Sequence, residues 1–398
     1  MLKTPLKIAI YSGEIPSTTF IERLISGVAD AGHPVILFGI LRKRPRYSSR
    51  VRVVGYRLNR LSKFWHLMRY SILLTLFKGG DKKRLDAYLK QQQKTDVYTK
   101  VKYYPVLWHQ PDVFHLQWAK GLKDWIWVQD FGMKLVLSLR GAHINYSPIA
   151  DAALAAMYRE YFPKVDGFHA VSKAIGLEAQ KYGAVQNKIT VVYSGLPASE
   201  IKAAIEKKTE PLDLADKPFY IISVGRPHWV KGYTYALDAC KILKAQGFDF
   251  HYTIVGGTKD IELAYQVHDL NLSEQVTLLN QLPYSQVQEL ISQSDLLLLS
   301  SVKEGIANVV LEAMALGTLV LSTDCGGMDE VIYDGETGFL VPIRDSNAMA
   351  AKIIEIANLN DLETVRIRQN GLEAIKTNHR EELMVKGMLG LYEGVLEG

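Results

Sequence analysis

Twice along this chain of 398 residues the same alternation recurs, and it leaves few folds open. Short runs of unbroken apolar, largely β-branched residues are separated by segments of helical periodicity. In the first half the runs are KIAIYSG (7–13), PVILFGI (34–40), PDVFHLQ (111–117), KLVLSLRG (134–141), GFHAVS (167–172) and TVVYSG from Thr190. In the second half they are FYIISVGR (219–226), DFHYTIVGG (249–257), QVTLLN (275–280), DLLLLSS (295–301) and TLVLSTD (318–324). A strand apolar on both faces belongs in a parallel sheet covered by helices on both sides. The segment TFIERLISGVADAG (19–32), ending at Gly32, is one such helix. The expected class is therefore α/β, with two doubly wound domains and a cleft between them. Ligands of such sheets bind outside the carboxyl ends of the strands, which is where Gly13, Gly141, Gly225 and Glu304 are expected.

A polar stretch from Ala198 to Pro218, rich in Lys, Glu and Asp, reads as the connection between the domains. It sets an N-terminal domain at 1–197, a C-terminal domain at 198–379 and a closing helical stretch at 380–398. Two domains of ordinary size fit this length. The apolar fraction of 48% and the charged fraction of 22% are those of a soluble globular protein. No run approaches the roughly 20 apolar residues of a membrane span. The start MLKTPLKIAIYSG lacks the form of a signal peptide. Cys240 and Cys325 make neither a metal-type spacing nor a disulfide framework. A cytoplasmic location is expected.

The net charge of +5 hides an asymmetry. Residues 41–110 hold 18 Lys and Arg against 3 Asp and Glu, a local +15 that leaves −10 for the rest. Such a patch implies an anionic partner: a membrane surface, nucleic acid or an acidic acceptor. Within it, residues 57–94 break the alternation and read as one or two basic amphipathic helices. SILLTLF (71–77) is too short to span a bilayer, but fits either packing on the first domain or lying at a bilayer surface. Packing is the expectation for the apolar face. Contact with an anionic membrane stays open for the patch as a whole.

The chemistry concentrates in EGIANVVLEAMALG (304–317). Glu304 falls in a loop, and Glu312, eight positions on, in what reads as the first turn of a helix. A short glycine-containing loop that enters a helix offers backbone N–H groups and a favourable dipole to an anion. Two carboxylates there would repel a bare phosphate but would accept hydrogen bonds from hydroxyls. A sugar nucleotide carries both groups. A Glu in a first turn also fits a role toward the helix dipole alone, and with Asn308 as cap it stands one position late for a capping box. VGRPHWVKG (224–232) likewise starts at a strand end and runs into a helix. Arg226 and Lys231, five apart across a loop, can converge on one ligand; a fork donor with a point charge suits a diphosphate. Two surface cations near a turn would show the same spacing.

Together these residues are similar to those of the retaining family-4 glycosyltransferases of GT-B fold. That family's Gly-Arg…Lys-Gly loop stands here as Gly225-Arg226…Lys231-Gly232. Its Glu-x7-Glu stands as Glu304…Glu312, and its Gly-Gly…Glu as Gly326-Gly327…Glu330, followed by DGETGFLVP (334–342). The resemblance covers roughly residues 220–345. It implies the GT-B arrangement of two Rossmann-like domains facing a central cleft, with the closing helix crossing back to the first domain. It implies Arg226 and Lys231 as the phosphate pair, Glu304 on the donor sugar and Glu312 on the ribose. Asn308 and the backbone N–H groups of Gly305, Ile306, Ala307 and Asn308 would hold the diphosphate and donor sugar. Gly13, Gly225 and Val309 complete the expected nucleotide-binding set. No metal and no other cofactor is implied.

The N-terminal half resembles a subgroup that builds bacterial exopolysaccharides of the colanic-acid type. IPSTTFIERL carries its Pro16, Ser17, Thr19, Phe20 and Ile21, with Thr18 where the subgroup has Glu. The family's His-Gly-x-Asp position reads Arg140-Gly141-Ala142-His143, so Arg140 and His143 stand where the resemblance expects active-site groups. His143 also fits a loop imidazole hydrogen-bonded locally. The resemblance implies a hexosyltransferase that moves a sugar, with retention, from a nucleoside diphosphate-sugar to a saccharide or lipid-linked saccharide, UDP being favoured over GDP. The enzyme would be peripheral on the inner membrane face through residues 41–110, with no nucleic-acid partner. A GT-B epimerase or phosphorylase and a non-catalytic nucleotide-sugar-binding protein are the alternatives. The GxGxxG of a nicotinamide dehydrogenase is absent, and aromatic-rich strands with basic flanks, as in RNA recognition, are lacking. DLAD (213–216) has two residues between its acids and is no Asp-x-Asp metal motif. His109, His115 and His169, in or beside apolar strands, read as core or loop residues. Trp118, Trp125, Trp127, Tyr103 and Tyr104 read as core or as a stacking surface for a sugar.

Overall fold

Each of the eleven apolar runs named above forms a strand in the computed structural model, which describes residues 5–43, 46–200 and 217–398. The first half supplies β1 (Ile8–Ile15), β2 (Val35–Leu41), β3 (Val51–Tyr56), β4 (Val113–Leu116), β5 (Lys134–Leu139), β6 (Gly167–Ala170) and β7 (Ile189–Val191). They form one parallel sheet in the order β3-β2-β1-β4-β5-β6-β7. Ile8 of β1 is in register with Val35 of β2 on one side and Val113 of β4 on the other. The strand order therefore reverses beside β1. The second half supplies β8 (Phe219–Val224), β9 (Phe250–Val255), β10 (Val276–Leu279), β11 (Leu296–Leu299), β12 (Leu319–Thr323) and β13 (Phe339–Val341). Its order is β10-β9-β8-β11-β12-β13, also parallel, and reverses between β8 and β11.

Two of these strands, β3 and β13, were not singled out by composition. Both are edge strands. β3 is only partly buried and carries Arg52, and β13 is three residues long, so neither shows an unbroken apolar run. The inner strands do: every residue of β4, β6 and β11 is buried.

The chain divides into two units. The first comprises the described residues up to Val171, Gly176–Val192 and Glu381–Gly398; the second comprises Ser172–Ile175 and the described residues from Tyr193 to Arg380. The division thus falls at 192/193 rather than at 197/198. Glu330 explains part of the shift: its carboxylate accepts from the backbone N–H groups of Lys173 and Ala174, at 2.9 Å each, and from the Tyr193 hydroxyl at 3.0 Å. Most of the polar stretch 198–218, with DLAD, lies outside the described residues.

In the first unit, helix α1 (Thr19–Asp30) buries Ile21, Leu24, Ile25 and Val28, one stripe at helical spacing. The last helix, Glu381–Glu397, shares that core through Met384, Val385, Met388, Leu391 and Tyr392. Gly27 lets the two helices meet, since a Cβ there would stand 2.3 Å from a Val385 methyl. The 57–94 region forms two helices, α2 (Arg60–Phe77) and α3 (Gly79–Gln91), followed by an unanticipated α4 (Val97–His109). His109 therefore ends a helix instead of flanking a strand, whereas His115 and His169 lie within β4 and β6. Tyr103, Tyr104, Trp125 and Trp127 are buried core residues. α2 packs on the first unit as expected, but by one side alone. Tyr70 and Leu74 are its buried residues, and Leu61, Phe64, Trp65, Ile72 and Leu76 lie open to solvent. One side of a helix cannot shelter so many large side chains.

Candidate functional site

The switch point of the second sheet gathers most of the residues singled out from sequence. β8 runs through Gly225 and Arg226 into a single turn, Trp229–Lys231, and then into the helix Tyr233–Ala245. Gly232 joins the turn to the helix in the left-handed region, with φ +63. A Cβ there would stand 2.0 Å from the Ser300 carbonyl oxygen, so only glycine lets this loop reach the loop after β11. Two hydrogen bonds fasten that contact: Ser300 Oγ donates to the Lys231 carbonyl at 2.9 Å, and the Val302 N–H to the Val230 carbonyl at 2.7 Å. On the other side Gly326, with φ +69, lies against Glu304; a Cβ would stand 2.0 Å from the Glu304 carbonyl oxygen. The Gly327 N–H donates to the Gly305 carbonyl at 2.9 Å. The loop bearing Glu304 is thus clamped between two glycine contacts.

Within this frame Lys231 Nζ stands 2.7 Å from Glu304 Oε1, and Ser301 Oγ donates to the same oxygen at 3.0 Å. Both charged side chains are largely sheltered, at 23% and 17% exposure. The Lys231 stem passes over Gly225, whose Cβ, if present, would lie 3.1 Å from Lys231 Cε. Arg226 is exposed to solvent. Residues Gly305 to Ala307 lead into the helix Asn308–Ala315, whose cap is Ala307. The cap residue has no side chain that could accept from the first N–H groups, of which that of Val310 donates to the Ala307 carbonyl at 3.0 Å. Two expectations are corrected here. Asn308 is the first helical residue and not the cap. Glu312 is half-buried in the second turn and not in the first, because the cap falls one residue earlier than assumed. Val309 lies in the first turn beside Asn308. Nearby Cys325 is buried, which pushes its thiol up to about 12, so it stands protonated at neutral pH.

Gly13, Arg140 and His143 belong to the first unit and form a separate set. Gly13 lies inside β1, past a register irregularity that begins at Ile10, and not beyond the strand end as expected. Its φ is +89, and no atom lies within 4 Å of where its Cβ would be, so the backbone there is open. The preceding carbonyl, of Ser12, accepts from Trp118 Nε1 at 3.1 Å. The Trp118 ring stands 5.4 Å from that of His143. His143 is part of the short helix Gly141–Asn145, not of a loop, and its buried Nδ1 has no hydrogen-bond partner among the described residues. Burial, aided by Lys120 and Arg140, pulls its pKa down to about 4, so the imidazole is neutral near pH 7. The Arg140 guanidinium lies 4.4 Å from the Phe20 ring and donates to Gln117 Oε1 at 2.9 Å.

Sequence reasoning missed what stands behind Arg140. Gln117 Nε2 reaches the His115 ring at 3.1 Å. His115 in turn bonds Tyr392 at 2.7 Å and Ser138 at 2.8 Å, and Ser138 bonds His169 Nδ1 at 2.9 Å. All five of these side chains are buried. Their one signal in sequence was a polar residue in each of three otherwise apolar strands. The contacts join positions up to 277 apart, which no local pattern encodes.

Residues 204–373 match the family described as glycosyl transferases group 1, a span that holds the whole set from Gly225 to Glu330. The chain carries a group 1 glycosyltransferase domain. Its curated relatives include the amylovoran biosynthesis glycosyltransferase AmsK of Erwinia amylovora, 33% identical over 180 residues, 42% of this chain and 44% of the relative. The putative colanic acid biosynthesis glycosyltransferase WcaL of Escherichia coli K12 is 27% identical over 245 residues, 60% of this chain and 59% of the relative. The chain thus spans about half the length of the curated relatives it matches. Among solved structures, HepE of Anabaena in complex with UDP and glucose superposes with a TM-score of 0.70 at 17% identity, covering 98% of this chain and 100% of the other. Sucrose-phosphate synthase of Thermosynechococcus elongatus gives 0.71 at 18%, covering 98% and 99%. The fold of both units together is GT-B.

Proposed function

We propose that this chain is a retaining glycosyltransferase of bacterial exopolysaccharide assembly, taking a sugar from a UDP-sugar. The observation that carries the reading is the Lys231–Glu304 pair set beside an uncapped helix start at a sheet switch point. A cation and free amides suit a diphosphate, and a carboxylate beside them suits the hydroxyls of a sugar. Arg226, Lys231 and the N–H groups from Gly305 to Asn308 would stabilise the charge that builds on the leaving diphosphate. Glu304 would orient the donor sugar, Glu312 would take the ribose, and no metal ion would be needed to neutralise the diphosphate. In the step itself the bond from the anomeric carbon to the diphosphate oxygen breaks. The acceptor oxygen bonds to that carbon on the same face, and its proton passes to the departing oxygen. Arg140 and His143, one cationic and one neutral, are assigned to the acceptor side.

The choice of UDP draws support from HepE, whose structure was solved with UDP and glucose. The acceptor would be a saccharide or lipid-linked saccharide, with the basic 41–110 region against an anionic membrane. A thermal-shift series with UDP, GDP, ADP and their sugars, with and without EDTA, tests the donor side. Stabilisation by UDP and UDP-sugars that EDTA leaves unchanged and Glu312→Ala abolishes is the expected result. Stabilisation by GDP alone, or one lost with EDTA, overturns it.

A further inference from the structure

We propose that helix α2 enters the surface of an anionic lipid bilayer along its solvent-facing apolar stripe. The inference rests on the membrane reading of the basic region and goes further, from attraction at a distance to insertion of a named face. Leu61, Phe64, Trp65, Ile72 and Leu76 follow one another at steps of three, one, seven and four, which keeps them on one side of the helix. Leu61 is 67% exposed, Trp65 55% and Leu76 69%. Tyr70 and Leu74, on the opposite side, hold the helix to the unit. A row of large apolar side chains turned outward marks an interaction surface.

Its surroundings point to the occupant. Arg57 precedes the helix, Arg60 and Arg69 flank the stripe, and the region carries +15 overall. A second copy of this chain would bring the same positive charge to the contact, whereas anionic lipid brings its complement. At the N-terminal end of α2, Arg42, Lys43 and Arg57 line an open pocket of about 870 Å³ with Leu58 and Asn59. Arg42 also pairs with Glu14 at 2.5 Å. With Arg42 offset by Glu14, Lys43 and Arg57 leave that mouth cationic, which suits phospholipid phosphate groups. Among the described residues no helix is long and apolar enough to cross a membrane, so α2 would lie in the interface plane. Trp65 and Phe64 would sit at headgroup depth and the aliphatic residues below them.

The test uses the full chain with phosphatidylcholine vesicles, with and without phosphatidylglycerol. Trp65 emission should shift to the blue and be quenched by bromine-labelled acyl chains on the anionic vesicles, and the difference should vanish in Trp65→Phe. The triple variant Leu61→Glu, Ile72→Glu, Leu76→Glu should bind them about tenfold more weakly or worse, with a melting temperature within a few degrees of the parent, since each of these side chains is half or more exposed. Binding that persists while Trp65 stays unquenched overturns insertion yet leaves charge-driven attachment standing. No binding to anionic vesicles overturns both. A concentration-dependent dimer in sedimentation that the triple variant splits assigns the face to a second copy and overturns the proposal. Should the triple variant unfold, the Trp65 quenching decides alone.

Discussion

At the scale of single residues, the paired carboxylates of the second unit were legible from spacing, and their partners were not. An eight-residue interval can be read along a chain; the meeting of Lys231 with Glu304 needs two loops folded together. That meeting separates two variants. Glu304→Gln keeps a hydrogen-bonding side chain and should leave the melting temperature within a few degrees, while sugar transfer falls by about 100-fold. Lys231→Ala removes transfer and also strips a sheltered carboxylate of its cation, which should cost about 1–3 kcal/mol in denaturant unfolding. Transfer at near wild-type rate in Glu304→Gln would reject the assignment. Gly326→Ala carries a different signature. Its Cβ would meet the Glu304 carbonyl at 2.0 Å on a left-handed backbone, so the loop must shift. Nucleotide-induced stabilisation should vanish from Gly326→Ala even where calorimetry still finds a folded protein.

At the scale of elements, the inner strands were readable because burial on both faces forces an unbroken apolar run. Edge strands β3 and β13 escaped notice because that force is absent at an edge. The polar line across β4, β5 and β6 escaped for the opposite reason: it is hidden inside strands whose remaining residues are apolar. Its histidines give the first unit a pH response. Burial lowers the pKa of His169 from 6.5 to about 3, and that of His115 falls well below 6.5 for the same reason. Such an imidazole stays neutral in the folded state while the unfolded chain takes up a proton. Stability is therefore full above about pH 6.5 and declines as pH falls toward the folded value. One such histidine should remove about 2 kcal/mol between pH 6.5 and 5. Urea midpoints measured from pH 7.5 to 5 should fall steadily, and His169→Gln should flatten that slope. A midpoint independent of pH over this range would show that these imidazoles titrate normally.

At the scale of the whole molecule, the two parallel sheets were legible and the apportioning of chain to units only roughly so. Tyr193 and Ser172–Ile175 go with the second unit through hydrogen bonds to one carboxylate, Glu330, that no run of sequence announces. Removal of residues 381–398 would strip Met388, Leu391 and Tyr392 from the core they share with α1. Calorimetry of that truncated chain should lose the transition of the first unit and keep that of the second. A single unchanged transition would show that the helix contributes little.

The late position of that helix bears on synthesis. All seven strands of the first sheet leave the ribosome before it, yet the face of α1 that buries Val385 and Met388 has no cover until the helix Glu381–Glu397 is translated. Nascent domains generally fold in the order in which they emerge. Here the order is inverted at the end: the second unit can close while the first, made earlier, still waits with an apolar face exposed. Until then the growing chain is a candidate for chaperone capture at α1, and the docking of Met384, Val385 and Met388 onto that face is the event that ends it.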